Sequence, residues 1–270
     1  MKGLLRLLKC ELMKLKRKRF IQLALAASFL FPIALTALIH YLNISENKYG
    51  SGPEAFDALW QSVLGFGMLM LLPSILGVIA ALLFFMERDN DTFKSLRVIP
   101  VTSTQMVLVK FLILAMLSVL FCLSSTVASV LCGLFFFEVA GIGFKLFLSA
   151  VLGCLIALSA LPLVLIILLF SRSYIFSVML CVFYSVFNLM STFLIQQMPK
   201  ILTFLLPTPS IMLWSSAQIS ASMAVADAGD LQAFTELGLI PSTPQLLLTL
   251  GAIGAIAVGL SIRLYKKRSD

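Results

Sequence analysis

The sequence predicts an all-α integral membrane protein with six transmembrane helices, and three observations carry that prediction. Apolar residues make up 60% of the 270 and charged residues 12%, against about 45–50% and about 25% in a soluble domain. Mean hydropathy is +1.06, which leaves too little charge to clothe a water-facing surface, so a soluble enzyme or a free-standing nucleic-acid binder is excluded. Six apolar runs, 20–42, 58–86, 111–137, 146–170, 175–195 and 246–264, reach the roughly 20 residues that a bilayer crossing needs. The spans and their connections leave no room for a second soluble domain, so 1–270 is expected to be one transmembrane domain.

Residues 1–19 precede the first span. Leu4, Leu5, Leu8, Leu12 and Leu15 fall in one sector of a helical wheel, with Arg6, Lys9, Lys14, Lys16 and Arg17 elsewhere. This is a basic amphipathic helix suited to the headgroup layer, either a topological anchor or an elbow into span 1. A cleaved signal peptide is not expected, because the first apolar run is 23 residues long, beyond the usual 7–15 or so.

Six crossings put both termini on one side. The net charge is +8, and its distribution orients the chain. Basic residues gather between Lys2 and Arg19, at Arg88, Lys94, Arg97 and Lys110, at Arg172, and at Arg263, Lys266, Lys267 and Arg268; only Lys48, Lys145 and Lys200 fall opposite. The positive-inside rule predicts cytoplasmic termini. A seventh span within 196–245 would export the basic tail. Pro199, Pro207 and Pro209 break that segment, and Asp230 is placed to cap a short helix bearing Leu231, Phe234 and Leu237. Short outer helices, interfacial or re-entrant, are expected there; the alternative is an external loop on the lipid surface.

The six runs contain no Asp, Glu or Lys, and their one Arg, Arg263, is near a helix end. Proton-coupled carriers commonly hold ionisable groups in the membrane, so a secondary transporter is disfavoured. Sodium held at a broken helix is the exception, and Gly65, Gly67, Pro73 and Gly77 mark span 2 for such a break. The single histidine, His40, removes metalloprotease, His-dependent protease and bis-histidine haem sites. Cys10, Cys122, Cys132, Cys154 and Cys181 form no C-x-x-C pair and read as small hydrophobes. No metal or cofactor is expected on this chain.

Small residues recur every four positions at Ser149, Gly153 and Ala157 in span 4 and at Gly251, Ala255 and Gly259 in span 6, a packing pattern. Ser185, Asn188 and Thr192 share one face of span 5 and serve either an interhelix bond or a pathway lining. Pro32, Pro73 and Pro162 are tolerated kinks or hinges. Between spans 2 and 3, Asn90 or Asp91 can cap a short helix that shows Phe93 and Leu96 on one face and stops at Pro100. Such a helix fits a groove in a soluble partner.

That connection resembles the ABC-2 type permeases, the membrane subunits of ATP-binding-cassette transporters. Their pattern is close to E-x(3)-G-T-x(3)-L-x(3)-P-[VI]-S, and Glu87, Thr92, Leu96, Pro100 and Val101 stand at its places. Asp91 replaces the glycine and Thr102 the serine. The basic amphipathic start, six spans and outer helices agree with the family. The opening Leu4 to Phe20, the size and the lack of a large extracellular domain look like lantibiotic-immunity permeases. The resemblance implies an exporter subunit that is not itself an enzyme, since no G-x(4)-G-K-[ST] phosphate loop is present. It implies ABC ATPase partners received at a coupling helix within 87–103, with Phe93 and Leu96 docking and Glu87 as the hinge-side anchor. It further implies a second permease, identical or paralogous, spans 1, 2 and 5 flanking the conduit, a bacterial plasma membrane, and no nucleic-acid partner. A solitary carrier and a non-transporting membrane adaptor are the rival readings.

Overall fold

The computed structural model describes residues 2–16, 18–41, 53–89, 102–170, 174–222 and 234–269. Among them the chain is helical, without strands, and six helices are long and apolar enough to cross a membrane. An amphipathic helix α1 (Lys2–Lys16) precedes span 1, α2 (Arg19–Tyr41). Span 2 is built of α3 (Pro53–Ser62), a π-helical stretch (Val63–Leu71) and α4 (Leu72–Asp89). Spans 3, 4 and 5 are α5 (Ser103–Phe136), α6 (Ile142–Leu169) and α7 (Tyr174–Phe193). Two short helices, α8 (Lys200–Leu205) and α9 (Pro207–Ser222), lead to span 6, α10 (Thr243–Ser269).

Span 4 is the centre of the bundle and packs against spans 2, 3, 5 and 6 and against α9. Glycine permits its closest approach. A Cβ on Gly153 would stand 2.7 Å from the Val119 Cα of span 3, and Ser118 Oγ donates to the Gly153 carbonyl at 2.7 Å. The Ser149, Gly153, Ala157 pattern is therefore a packing seam, as its spacing predicts. The matching pattern in span 6 is not. Gly251 and Gly259 face open space and Ala255 is exposed, whereas Gly254 lies on Leu161 of span 4. A period of four marks a face but does not say which neighbour the face meets.

In α1, Leu7, Leu8, Leu12 and Leu15 join the main core, and Glu11 pairs with Lys14. The apolar sector is thus spent partly on the bundle, where α1 meets span 3. Pro32 and Pro162 lie inside continuous helices. Span 2 is continuous as well, so the break that its glycines suggest takes the form of a π stretch. Pro73 follows that stretch closely. In an α turn its ring would press on the Leu69 carbonyl, and widening the preceding turns relieves that contact.

Between spans 5 and 6, proline divides the chain as expected. Pro199 and Pro207 bound the six residues of α8, and Ser210 Oγ donates back to the Thr203 carbonyl at 2.8 Å. The longer α9 packs on spans 2, 4, 5 and 6, and Trp214 Nε1 donates to Thr243 Oγ1 at 3.1 Å. Asp230 and Leu231 lie outside the described residues, whereas Phe234 packs on Ile195, Leu213 and Leu239.

Candidate functional site

Spans 2, 3 and 4 begin earlier than their apolar runs: at Pro53, Ser103 and Ile142 instead of 58, 111 and 146. That extension brings four charges into the helices, of which Glu54 is exposed. Asp57, Lys110 and Lys145 each stand one residue ahead of an apolar run, and all three are buried. The expectation of helices without acids or lysines therefore holds for the runs and fails for the folded spans.

At one end of the bundle, Lys145 of span 4 is 0% exposed, and its Nζ lies 2.6 Å from Asp57 Oδ1 of span 2. The same ammonium donates to the Ala140 carbonyl at 2.5 Å and sits 4.8 Å from the Phe56 ring centre and 5.8 Å from that of Trp60. Beside it, Trp60 Nε1 meets Thr126 Oγ1 at 3.4 Å, Thr126 shares a hydrogen bond with Ser149, and Ser149 donates to the Lys145 carbonyl. Lysine is almost never fully buried unless paired, and here the carboxylate, a carbonyl and two aromatic faces replace water. At the opposite end, Lys110 donates to the Leu83 carbonyl at 2.8 Å, with the Phe84 ring centre 4.4 Å and the Tyr265 ring centre 5.7 Å away. The aromatic pairs around Asp57 and the position of each charge beside an apolar run are the sequence signals for these sites.

Span 5 meets span 2 through serines. Ser185 Oγ donates to the Met70 carbonyl at the end of the π stretch, and Ser74 Oγ donates to the Cys181 carbonyl at 2.8 Å. Ser185 thus makes an interhelix bond. Asn188 and Thr192 do not: Asn188 Nδ2 donates to the Tyr184 carbonyl at 2.9 Å and Thr192 Oγ1 to the Leu189 carbonyl at 2.6 Å, both within span 5. Both line a cavity of about 490 Å³ between spans 1, 2 and 5 and α9. Its wall includes Ile39 of span 1, Gly65, Phe66 and Met70 of the π stretch, and Met212 of α9. A Cβ on Gly65 would meet nothing within 4 Å, whereas one on Gly67 would meet Phe31 at 2.9 Å.

Thr92, Phe93, Leu96 and Pro100 lie outside the described residues. Glu87 stands in the last turn of α4, the stretch that leads into them. A family model described as ABC-2 family transporter protein matches residues 7–188, two-thirds of the chain. The chain belongs to the ABC-2 transporter family. The match runs from α1 into span 5 and ends at Asn188 in the cavity wall, so the last turn of span 5, α8, α9 and span 6 lie beyond it. ABC-2 permeases are transmembrane components, not themselves catalytic, and work in the membrane with ABC ATPase partners. A comparison with curated proteins gives no match.

Proposed function

We propose that this ABC-2 protein is the permease subunit of an exporter in a bacterial plasma membrane, with ATP hydrolysed on separate subunits. Both termini face the cytoplasm, which places Asp57, Lys145 and α9 at the outer end. The segment 87–103 receives the ATPase: Asn90 or Asp91 caps the coupling helix and Pro100 ends it, Phe93 and Leu96 dock, Thr92 stands in the coupling motif, and Glu87 anchors its base. Two permeases, identical or paralogous, face each other across spans 1, 2 and 5. ATP binding shifts the pair through the ATPase's different contacts with the two conformations. The observation that carries this reading is the family match together with a cavity walled by those same three spans. Asn188 and Thr192 are the polar lining of the path. We further propose lantibiotic-type antimicrobial peptides as cargo, on the resemblance of the opening Leu4 to Phe20 and of the chain's size.

The test is co-purification followed by reconstitution. An ABC ATPase is expected to come with this chain, and Phe93→Asp with Leu96→Asp is expected to change its ATP hydrolysis in liposomes. An assembled complex that hydrolyses ATP identically with both substitutions would remove the docking assignment. Transport of a solute down a sodium or proton gradient by the purified chain alone would remove the exporter reading.

A further inference from the structure

A lysine that folding takes out of water fixes the groups that solvate it in water's place. Lys110 of span 3 is 0% exposed, and its ammonium draws on two other spans. It donates to the Leu83 carbonyl of span 2 at 2.8 Å and lies 4.4 Å from the Phe84 ring centre of span 2 and 5.7 Å from the Tyr265 ring centre of span 6. Both rings are inside the range of about 6 Å over which an aromatic face attracts a cation. The rings are themselves joined. Phe84 meets Tyr265 edge-on, with ring centres 6.2 Å apart, and Phe111 of span 3 in the same way at 6.5 Å. One point thus gathers three helices that are distant in sequence.

Both ends of the segment 87–103 lead to that point. On one side α4 runs on from Phe84 to Asp89. On the other, Thr102 Oγ1 accepts from the Gln105 N–H at 3.3 Å while Gln105 Oε1 accepts from the Thr102 N–H at 3.2 Å, and from this reciprocal cap the helix continues to Lys110. A push on the segment therefore arrives at Lys110 along two stiff legs. Apolar packing alone would let the legs slide, because it is non-directional. A buried ammonium does not. Moving span 6 away takes the Tyr265 ring out of range, moving span 2 away takes the carbonyl, and either leaves the cation less well solvated. The next residue of span 2 provides the contrast: Phe85 meets the Tyr174 ring at the start of span 5 edge-on, at 6.2 Å. Phe84 is held by a charge and Phe85 by ring packing.

We propose that Lys110 is a positioning residue whose ammonium clamps the end of span 2 to span 6, so that movement imposed on the segment 87–103 carries spans 2, 3 and 6 together past span 5. The clamp stands on Lys110, Leu83, Phe84 and Tyr265; its part in transmission rests on the reading that an ATPase docks at 87–103. Spin labels carried on noncanonical residues, which leave the five cysteines untouched, test both. In the full-length chain in nanodiscs, labels at Leu108 of span 3 and Lys267 of span 6, both exposed, are expected to give one sharp distance. Lys110→Met and Tyr265→Leu are expected to broaden it, and Tyr265→Phe, which keeps the ring, to leave it sharp. Leu250→Ala, which opens a cavity towards the opposite end of span 6, is expected to lower the unfolding midpoint and leave the distance sharp as well. In the complex with its ATPase, nucleotide binding is expected to shift the distance between Lys267 and Ile175 of span 5, and Lys110→Met is expected to lose that shift while ATP hydrolysis continues. A sharp distance in both Lys110→Met and Tyr265→Leu, or equal broadening in Tyr265→Phe or Leu250→Ala, would overturn the clamp. A wild-type complex without the shift, or a shift that survives Lys110→Met or disappears together with hydrolysis, would overturn the transmission role. Failure of any ATPase to assemble with the wild-type chain would remove the docking reading and the transmission role with it, while the first label pair still decides the clamp.

Discussion

Two seams of the bundle are built from the same small residues and differ in what fills them. Where span 4 meets spans 2 and 3, Gly153 lets backbone touch backbone, and an ion pair, two aromatic rings and a hydroxyl chain occupy the end. Where span 5 meets span 2, the bonds are two serine hydroxyls on carbonyls, one helix is π-wound, and an open cavity lies alongside. Discrete charges and close backbone contact fix one arrangement. Serine bonds to carbonyls can be re-made one turn away, because every turn offers another carbonyl. The first seam is a frame, and the second is where the molecule can change shape at low cost.

The largest effect should come from the frame. Lys145→Met leaves the Asp57 carboxylate buried without its partner, and breaking a buried pair from one side costs about 3–5 kcal/mol. Thermal unfolding in detergent should show a marked loss, and adding Asp57→Asn should recover most of it, since no uncompensated charge then remains. An unchanged midpoint in the single variant would mean that water reaches Asp57. The middle effect belongs to Gly153→Val. Its Cβ would fall 2.7 Å from the Val119 Cα, and a backbone atom yields less readily than a side chain. Spans 3 and 4 must separate, at about 1–3 kcal/mol or more, again read as an unfolding midpoint.

The distinction between the seams was only partly legible beforehand. Six spans follow from hydropathy because lipid tolerates so few alternatives to a long apolar helix. Proline at 199 and 207 defines α8 because its ring acts through local geometry alone. The buried charges escaped because a window that seeks apolar runs stops at the first charge. Asp57, Lys110 and Lys145 therefore looked like loop residues, although helix and burial continue past them. Gly153 and Gly259 carry the same periodic signal, and only the positions of neighbouring helices distinguish the packed one from the exposed one. The cavity depends on Gly65, whose role is defined by an absence of neighbours, and sequence spacing contains no such information. Ser185, Asn188 and Thr192 share a face as their spacing requires, but their division into one interhelix bond and two lining groups depends on where span 2 presents its carbonyls.

The smallest effect is the most diagnostic for the second seam. Ser185→Ala removes the bond to the Met70 carbonyl, and interhelix side-chain bonds in membranes average about 0.6 kcal/mol, with a ceiling near ~1.7. Ser74→Ala removes the bond to the Cys181 carbonyl and should act on the same scale, so the double variant should still unfold well above Lys145→Met. Its signature should be local. Hydrogen exchange at the backbone amides of Val63–Leu71 should speed up, because the bonds bracketing the π stretch are gone while the frame around Gly153 is untouched. If the double variant instead loses as much stability as Lys145→Met, or if exchange rises equally in spans 3 and 4, the serines belong to the frame and the bundle has one kind of seam. If exchange rises only in the π stretch, span 2 has two independently held halves, and Pro73 marks the place where they can move apart.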